Sequence, residues 1–318
     1  MNTKFFLATL LGLLAYSQAR ITLAKWEAFK QEFNKSYDNE FEERFRMQVF
    51  EDNKRIIDTH NERFATGFAT YEMGFNEYTD LLDKEFDAMF DSPEIEDLEF
   101  THKDDDVLEG YKDEVDWRTL GAVTPVKQEG HFNNSWAFAT AGVVESRKFV
   151  STGVLLELSK QQLIDCTSNK HDSIWRALKY IKSKRGIEAE RAYPYRGVKG
   201  HCKFNKRLIS ASIRKYHHSS TGNERALAKH VAKGPVAAMI SRDAIRFYRS
   251  GVFHNPDCRK SPEYAVLIVG YGHSKSFGEY WLLKTSLGTS WGEKGYLKLA
   301  RNKNNLCGIA SRAYFPDI

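Results

Sequence analysis

One stretch of twelve residues constrains this chain more than any other. Gln128 to Ala139, Gln-Glu-Gly-His-Phe-Asn-Asn-Ser-Trp-Ala-Phe-Ala, runs from a polar turn containing Gly130 straight into an apolar helical pattern. Asn134 is a favourable N-cap residue, and Trp136, Ala137 and Phe138 begin a helix predicted to reach about Val150. Ser135 therefore stands at a helix start, where the positive end of the helix dipole stabilises a thiolate or an oxyanion. At 318 residues the chain is long enough for a sizeable core and more than one structural unit.

Ahead of that stretch lie three segments. Residues 1–19 read as a secretory signal peptide: Lys4, an apolar run from Phe5 to Ala15, then Ser17-Gln18-Ala19 as the cleavage site. The run is too short to span a bilayer, and no other stretch qualifies, so no transmembrane segment is expected. The chain is assigned to the secretory pathway, extracellular or lysosomal. Residues 20–90 are charged and helical in pattern. Within them Glu42, Arg46, Phe50, Asn53, Ile57 and Asn61 fall on one helix face by steps of three and four. An amphipathic helix accounts for the spacing but not for the residue types. The ladder resembles the ERFNIN signature of cathepsin L-like propeptides, and Gly74-x-Asn76-x-Tyr78-x-Asp80 resembles their second motif. The resemblance, to an I29-type inhibitor propeptide, implies a helical domain that packs on its own enzyme and lays its tail through the cleft.

Residues 91–112 turn acidic around Asp104-Asp105-Asp106, as an exposed processing linker would. Val115-Asp116-Trp117-Arg118 then resembles the start of a mature papain-family domain, which continues to residue 318. Charge divides unevenly at this boundary. From Asp113 onward there are 34 Lys+Arg against 17 Asp+Glu, about +17, while the part before it has 13 against 25, about −12. Basic residues cluster at Lys179, Lys182, Lys184 and Arg185, at Lys203, Lys206 and Arg207, and at Arg242, Arg246 and Arg249. Either these form a merely solvated face, or they dock the acidic prodomain and, once it leaves, an anionic polysaccharide or cell surface. Nucleic acid is not an expected partner of a chain with a signal peptide.

After Trp117 the pattern is helical first, with Leu158 to Leu163 and Ile174 to Lys182 as further helices. It becomes strand-like later, at Val236 to Ile240, Ala265 to Tyr271, Tyr280 to Lys284 and Gly295 to Leu299. Helices followed by strands argue an α+β fold in two lobes. The resemblance makes this a papain-like fold, a helical lobe and a β-barrel lobe with the substrate cleft between them.

Gln128 to Ala139 resembles the papain-family nucleophile segment, with Ser135 at the nucleophile position and Glu129 at that of the oxyanion-hole glutamine. Tyr264 stands where the resemblance puts the base, Thr285 where it puts the orienting asparagine, and Leu287 replaces a shielding tryptophan. A serine hydroxyl needs an adjacent base, and a phenol with a pKa near 10 is a poor one. An ionised Glu129 would repel a developing oxyanion, and losing one oxyanion donor costs about 100–1,000-fold. His131, four residues before Ser135, reads as an exposed loop histidine. The residues alone therefore predict no enzyme: an inactive homologue of a cysteine-type endopeptidase, a pseudopeptidase acting by binding. Two alternatives stand beside it, residual proteolysis with Ser135 as nucleophile and a propeptide that inhibits active cathepsin L-like peptidases.

No cofactor and no metal are expected. Four cysteines, Cys166, Cys202, Cys258 and Cys307, allow three pairings. The resemblance implies Cys166–Cys202 and Cys258–Cys307, one bridge in each lobe. A third family bridge lacks both partners, with Phe132 in the nucleophile loop and a shortened segment from Thr167 to Trp175. Asn34-Lys35-Ser36 and Asn133-Asn134-Ser135 are N-glycosylation sequons.

Overall fold

The computed structural model describes residues 23–90, 112–130, 133–167, 174–219 and 221–318. The signal peptide, the linker up to residue 111, His131, Phe132 and residues 168–173 lie outside the described residues. Among the described residues no helix is long and apolar enough to cross a membrane.

The first unit is helical: α1 (Leu23–Glu32), α2 (Glu40–Ala65), strand β1 (Tyr71–Met73) and α3 (Asp83–Ala88). Asn39 caps α2 by accepting the backbone N–H groups of Phe41 and Glu42, which satisfies two of the donors a helix start leaves open. Trp26, Phe29 and Phe50 form a small core of their own between α1 and α2. The polar rungs of the α2 ladder read the backbone that follows the helix. Asn53 donates to the carbonyls of Thr79 (2.8 Å) and Leu81 (3.0 Å). Asn61 exchanges two bonds with the backbone of Met73, each 2.9 Å. Arg46 donates to Glu85 at 2.6 Å and to the Asp80 carbonyl at 3.3 Å, while Asp80 accepts from Lys35 and Tyr37. Residue types that plain amphipathicity leaves unexplained are thus amide and guanidinium donors matched to carbonyls one chain segment away.

The backbone so fixed is the one that docks. Strand β1 pairs antiparallel with β7 (Tyr248–Phe253), and the Gly74 N–H donates to the Phe247 carbonyl at 2.8 Å. A Cβ at Gly74 would lie 2.9 Å from the Arg249 side chain, so any larger residue would push that arginine away from the seam. Asn76 donates to the Arg246 carbonyl and accepts the Tyr78 N–H. Around this seam Arg242 meets Asp87 at 2.6 Å, Arg249 meets Glu72 at 3.6 Å, Arg259 meets Asp87 at 3.4 Å, and Arg246 pairs with Asp83. The third basic cluster therefore docks the acidic prodomain. Among the described residues the Lys179–Arg185 and Lys203–Arg207 clusters make no ion pair with it, so they are not masked by this contact.

The second unit begins with β2 (Val115–Asp116), followed by α4 (Ser135–Thr152), α5 (Lys160–Cys166), α6 (Ile174–Lys184), β3 (Ile187–Glu188), β4 (Ile209–Ala211) and β5 (Lys215–His218). Helix α7 (Glu224–Ala232), β6 (Val236–Ile240), β7, β8 (Tyr264–Ser274), β9 (Gly278–Lys284), β10 (Tyr296–Ala300) and β11 (Ala313–Asp317) complete it. The large sheet runs in the order β1-β7-β10-β9-β8-β6-β11-β5, with β2 added against β8. Helix α4 is buried along most of its length because it packs directly on that sheet: a Cβ at Gly142 would lie 3.1 Å from the Leu267 side chain of β8. Helices first and sheet second is the order the sequence predicts. Both implied disulfides are formed, Cys166–Cys202 and Cys258–Cys307, and no cysteine among the described residues is free.

Candidate active site

The start of α4 faces β8 across the seam between the helical part and the sheet. Ser135 is the first residue of the helix, buried, and its Oγ accepts the backbone N–H of Ala265 at 3.1 Å. That bond places Tyr264, the preceding residue, beside the helix start. One prediction about this start is corrected. Asn134 makes no side-chain cap bond. Its amide instead donates to the Gly197 carbonyl (2.9 Å) and the Tyr195 hydroxyl (3.2 Å), which ties the helix start to the neighbouring loop. Helix α4 closes at Gly153, whose φ of 73° is left-handed.

Glu129 is brought to the same place by a short backbone pairing. Gln128 bridges to Leu287, and the Glu129 N–H donates to the Ser286 carbonyl at 2.8 Å. The Tyr195 hydroxyl holds the Glu129 carbonyl at 2.6 Å. With its backbone pinned on both sides, Glu129 buries its carboxyl next to Ser286 and Tyr264. Ser286 Oγ donates to Glu129 Oε1 at 3.2 Å and lies 3.1 Å from the Tyr264 hydroxyl, which also accepts the Ser286 N–H at 3.3 Å.

The charge state of Glu129 follows from this burial. Among the described residues no cation pairs with it, and Oε2 has no hydrogen-bond partner. Desolvation pushes its pKa up from 4.5 to about 8, against the opposing pull of Tyr264, Ser286 and the Asn134 N–H. The repulsion that an ionised Glu129 would exert is thus opposed by its surroundings, which favour the neutral acid up to about pH 8. Tyr264 goes the other way from usefulness as a base. Burial, with Glu129 nearby, holds its pKa well above 10, so it stays a phenol.

Thr285 is buried but is not brought to Tyr264. Its hydroxyl donates to the Gly295 carbonyl at 3.0 Å. The neighbouring Ser286, which sequence reasoning passed over, takes the contact instead. Its signal was only its place beside Thr285 at the end of β9. A second missed group lies between the two parts of the domain. Buried Glu145 accepts from Thr124 Oγ1 and from the Leu158 N–H, both at 2.7 Å, with Lys160 at 3.6 Å. Lys284 donates to the Thr124 carbonyl at 2.7 Å, and burial lowers its pKa to about 8. These residues hold the seam on which the site is built.

The propeptide unit reaches the same site. Tyr78, Phe86 and Phe90 stack edge to face in series, and the Phe90 ring meets Tyr264 at 6.0 Å and 81°. Tyr264 is thus covered by the chain's own prodomain. No group of three or more His, Cys, Asp or Glu among the described residues forms a metal site. Asn34 and Asn133, the acceptors of the two sequons, both sit on backbone of positive φ, 50° and 46°.

Comparison with known proteins places this geometry. Residues 111–317 match the papain family cysteine protease, and residues 26–86 match the cathepsin propeptide inhibitor domain (I29). The chain is 38% identical to Cathepsin L1 of Drosophila melanogaster, over 98% of this chain and 90% of that protein. It is 37% identical to a cathepsin L-like peptidase of Aedes aegypti, over 95% of both chains. The structure of digestive procathepsin L 3 from Tenebrio molitor larval midgut superposes with a TM-score of 0.84 at 34% identity, covering 94% of this chain and 100% of that one. These relatives overturn the expectation that the chain is no enzyme. Proteins similar to it over nearly the whole length are named as cathepsins and peptidases, and they point to an enzyme.

Proposed function

Because the chain belongs to the papain family of cysteine proteases, with a cathepsin propeptide inhibitor domain ahead of the peptidase domain, we propose that it is the precursor of a slow cathepsin L-like peptidase. In this reading Ser135 is the nucleophile and Glu129, as a neutral acid, is an oxyanion donor. The signal peptide (1–19), propeptide (20–90), linker (91–112) and peptidase domain (113–318) divide it, and the secretory pathway carries it to the lysosome or the outside.

The observation that carries the reading is the buried Glu129 carboxyl itself, packed beside Ser286 and Tyr264 with Oε2 left without a partner, a setting in which burial raises its pKa. A carboxyl kept neutral by its surroundings donates a hydrogen bond, as a glutamine amide does. The Ser135 and Trp136 N–H groups at the start of α4 supply the second donor, since the Ala137 and Phe138 N–H groups already donate to the Asn134 carbonyl. The step is acyl transfer: Ser135 Oγ bonds to the substrate carbonyl carbon, the bond to the leaving amine or alcohol breaks, and the hydroxyl proton departs with that group. Water then hydrolyses the acyl-serine. Tyr264 takes no part as a base because it stays protonated. Oxyanion stabilisation and substrate binding without an efficient base leave about 10³–10⁴ over the uncatalysed rate.

Acid-processed protein with an activated peptide ester at pH 5 tests this. Ester turnover with an acyl adduct mapped to Ser135 is expected, and Ser135→Ala abolishes both. Equal turnover by the two proteins, with no adduct, would sink the assignment.

A second role is favoured by one observation. The Cys166–Cys202 bridge and the Tyr180–Phe204 ring contact bring together the segments that carry the Lys179–Arg185 and Lys203–Arg207 clusters, and among the described residues neither cluster pairs with the prodomain. A cavity of about 420 Å³ lined by Trp175, Arg176, Lys179, Tyr180 and Ser183 opens there. This face suits an anionic polysaccharide or an acidic cell surface. Lys179→Glu with Lys182→Glu should bring elution from heparin to lower salt; unchanged elution removes the role. The propeptide unit, with its own core, is in turn suited to inhibiting active cathepsin L-like peptidases once released.

A further inference from the structure

Ser135 has a second chemical consequence that is independent of any activity. It is the third residue of the sequon Asn133-Asn134-Ser135, whose hydroxyl is what makes Asn133 an acceptor. We propose that Asn133 carries an N-linked glycan at the mouth of the active-site cleft. The same side chain that occupies the nucleophile position thereby directs a modification onto its own doorstep.

The folded structure leaves room for that modification at one residue of this sequon and at no other. Asn133 is half-buried, while Asn134 and Ser135 are buried. Asn134 is held through its amide by Gly197 and Tyr195, and Ser135 through its hydroxyl by the Ala265 N–H. The Asn133 amide has no hydrogen bond among the described residues and is not committed to the fold. Its φ of 46° is left-handed, a conformation asparagine tolerates better than most residues, and one that turns the chain just before α4. Asn34, the acceptor of the other sequon, is exposed and also left-handed, with φ of 50°.

Burial of Ser135 is no obstacle, because the transfer acts on the chain before it folds. In that step the Asn133 Nδ2 attacks the anomeric carbon of a lipid-linked oligosaccharide pyrophosphate. The Nδ2–C1 bond forms, the C1–O bond breaks, the lipid pyrophosphate departs, and Nδ2 loses a proton to the transferase. Both disulfides of this chain fit the oxidising compartment in which the donor resides. Two residues span at most about 7 Å of backbone, so a branched sugar on Asn133 stands over the start of α4.

The test is peptide mapping of the full chain secreted from a eukaryotic host, before and after enzymatic release of N-glycans. The expected result is a sugar-bearing peptide containing Asn133, in which the release step leaves an aspartate in place of that asparagine. Asn34→Gln leaves one glycan and Asn34→Gln with Asn133→Gln leaves none. On the Asn34→Gln background, Ser135→Thr keeps the remaining glycan and Ser135→Ala loses it. The map of the unsubstituted chain reads occupancy even where a variant fails to fold. An Asn133 peptide recovered without sugar at full yield overturns the proposal, whether or not Asn34 is modified. The readout is mass alone, so a failure here is distinct from a failure of Ser135 as nucleophile.

Discussion

Replacing Glu129 by glutamine isolates the most unusual group in this fold. The carboxyl is buried without a paired cation among the described residues, and its pKa rises from 4.5 to about 8. A folded-state value above the unfolded one means that the native chain holds a proton the unfolded chain releases. The contribution of this group is therefore fully present below about pH 4.5 and fades as pH climbs toward 8. At about 1.4 kcal/mol per tenfold, the gap amounts to about 5 kcal/mol lost by pH 8. For a domain of this size 1 kcal/mol moves the melting temperature by about 2–4 °C, so the expected fall is about 10 °C or more. Glu129→Gln keeps the shape and the neutral state at every pH and removes this slope. It adds at most a constant offset where the amide lacks a partner. The assay is thermal unfolding by circular dichroism from pH 4.5 to 8.5 for both chains. Other titrating groups act equally in both and cancel in the difference, which should shift in favour of the variant by about 10 °C across that range. Parallel melting curves would refute the argument, because they would mean that Glu129 is already ionised in the fold.

Four further outcomes follow from the same structure. Lys284, lowered to about 8 by burial, titrates in the opposite sense: stability should rise by about 3 kcal/mol from pH 8 to 10.5, and Lys284→Met should flatten that rise in denaturant midpoints. Asn53→Ala strips the donors of two backbone carbonyls in the propeptide and should cost about 1–3 kcal/mol, read by limited proteolysis of residues 23–90. Arg242→Ala with Arg246→Ala removes two of the ion pairs at the docking seam, and once the chain is cut within residues 91–112 the prodomain should dissociate at lower salt on size exclusion. Tyr264→His added to Ser135→Cys should raise kcat/KM by at least about 100-fold over Ser135→Cys alone, since a general base contributes about 10²–10⁴; no gain would mean that the geometry of β8 does not present the ring to residue 135.

What the sequence discloses here is what short-range physics decides. The periodicity of α2 places Glu42, Arg46, Phe50, Asn53, Ile57 and Asn61 together because 3.6 residues per turn is a local property. The helical start at residue 135 and the strand at 264 are legible for the same reason. The partners of those rungs are not, since nothing local says that Asn53 will meet Thr79, or that Gly74 will abut Arg249. Asn134 shows the limit at close range. Its propensity favours a cap, but the loop carrying Tyr195 and Gly197 offers its amide better acceptors. Thr285 and Ser286 show it again, because the Thr285 hydroxyl is taken by the Gly295 carbonyl and it is Ser286 that meets Tyr264.

The charge of Glu129 is the case in which this limit changes a functional conclusion. Read as a letter, Glu differs from Gln by a negative charge, and a negative charge in that place opposes acyl transfer. The protonation state is not a property of the residue, however. It is set by how far Ser286, Leu287 and Tyr195 press residue 129 out of water, with no cation among the described residues paired to the carboxyl. These are long-range contacts, more than sixty residues away in each case. Once they close, the free energy of hydrating a carboxylate is lost and the neutral acid wins up to about pH 8. In acid the neutral form is dominant. Under the proposed acyl-transfer role, residue 129 therefore keeps a hydrogen-bond donor in its neutral form, while Tyr264, held as a phenol, offers no proton acceptor.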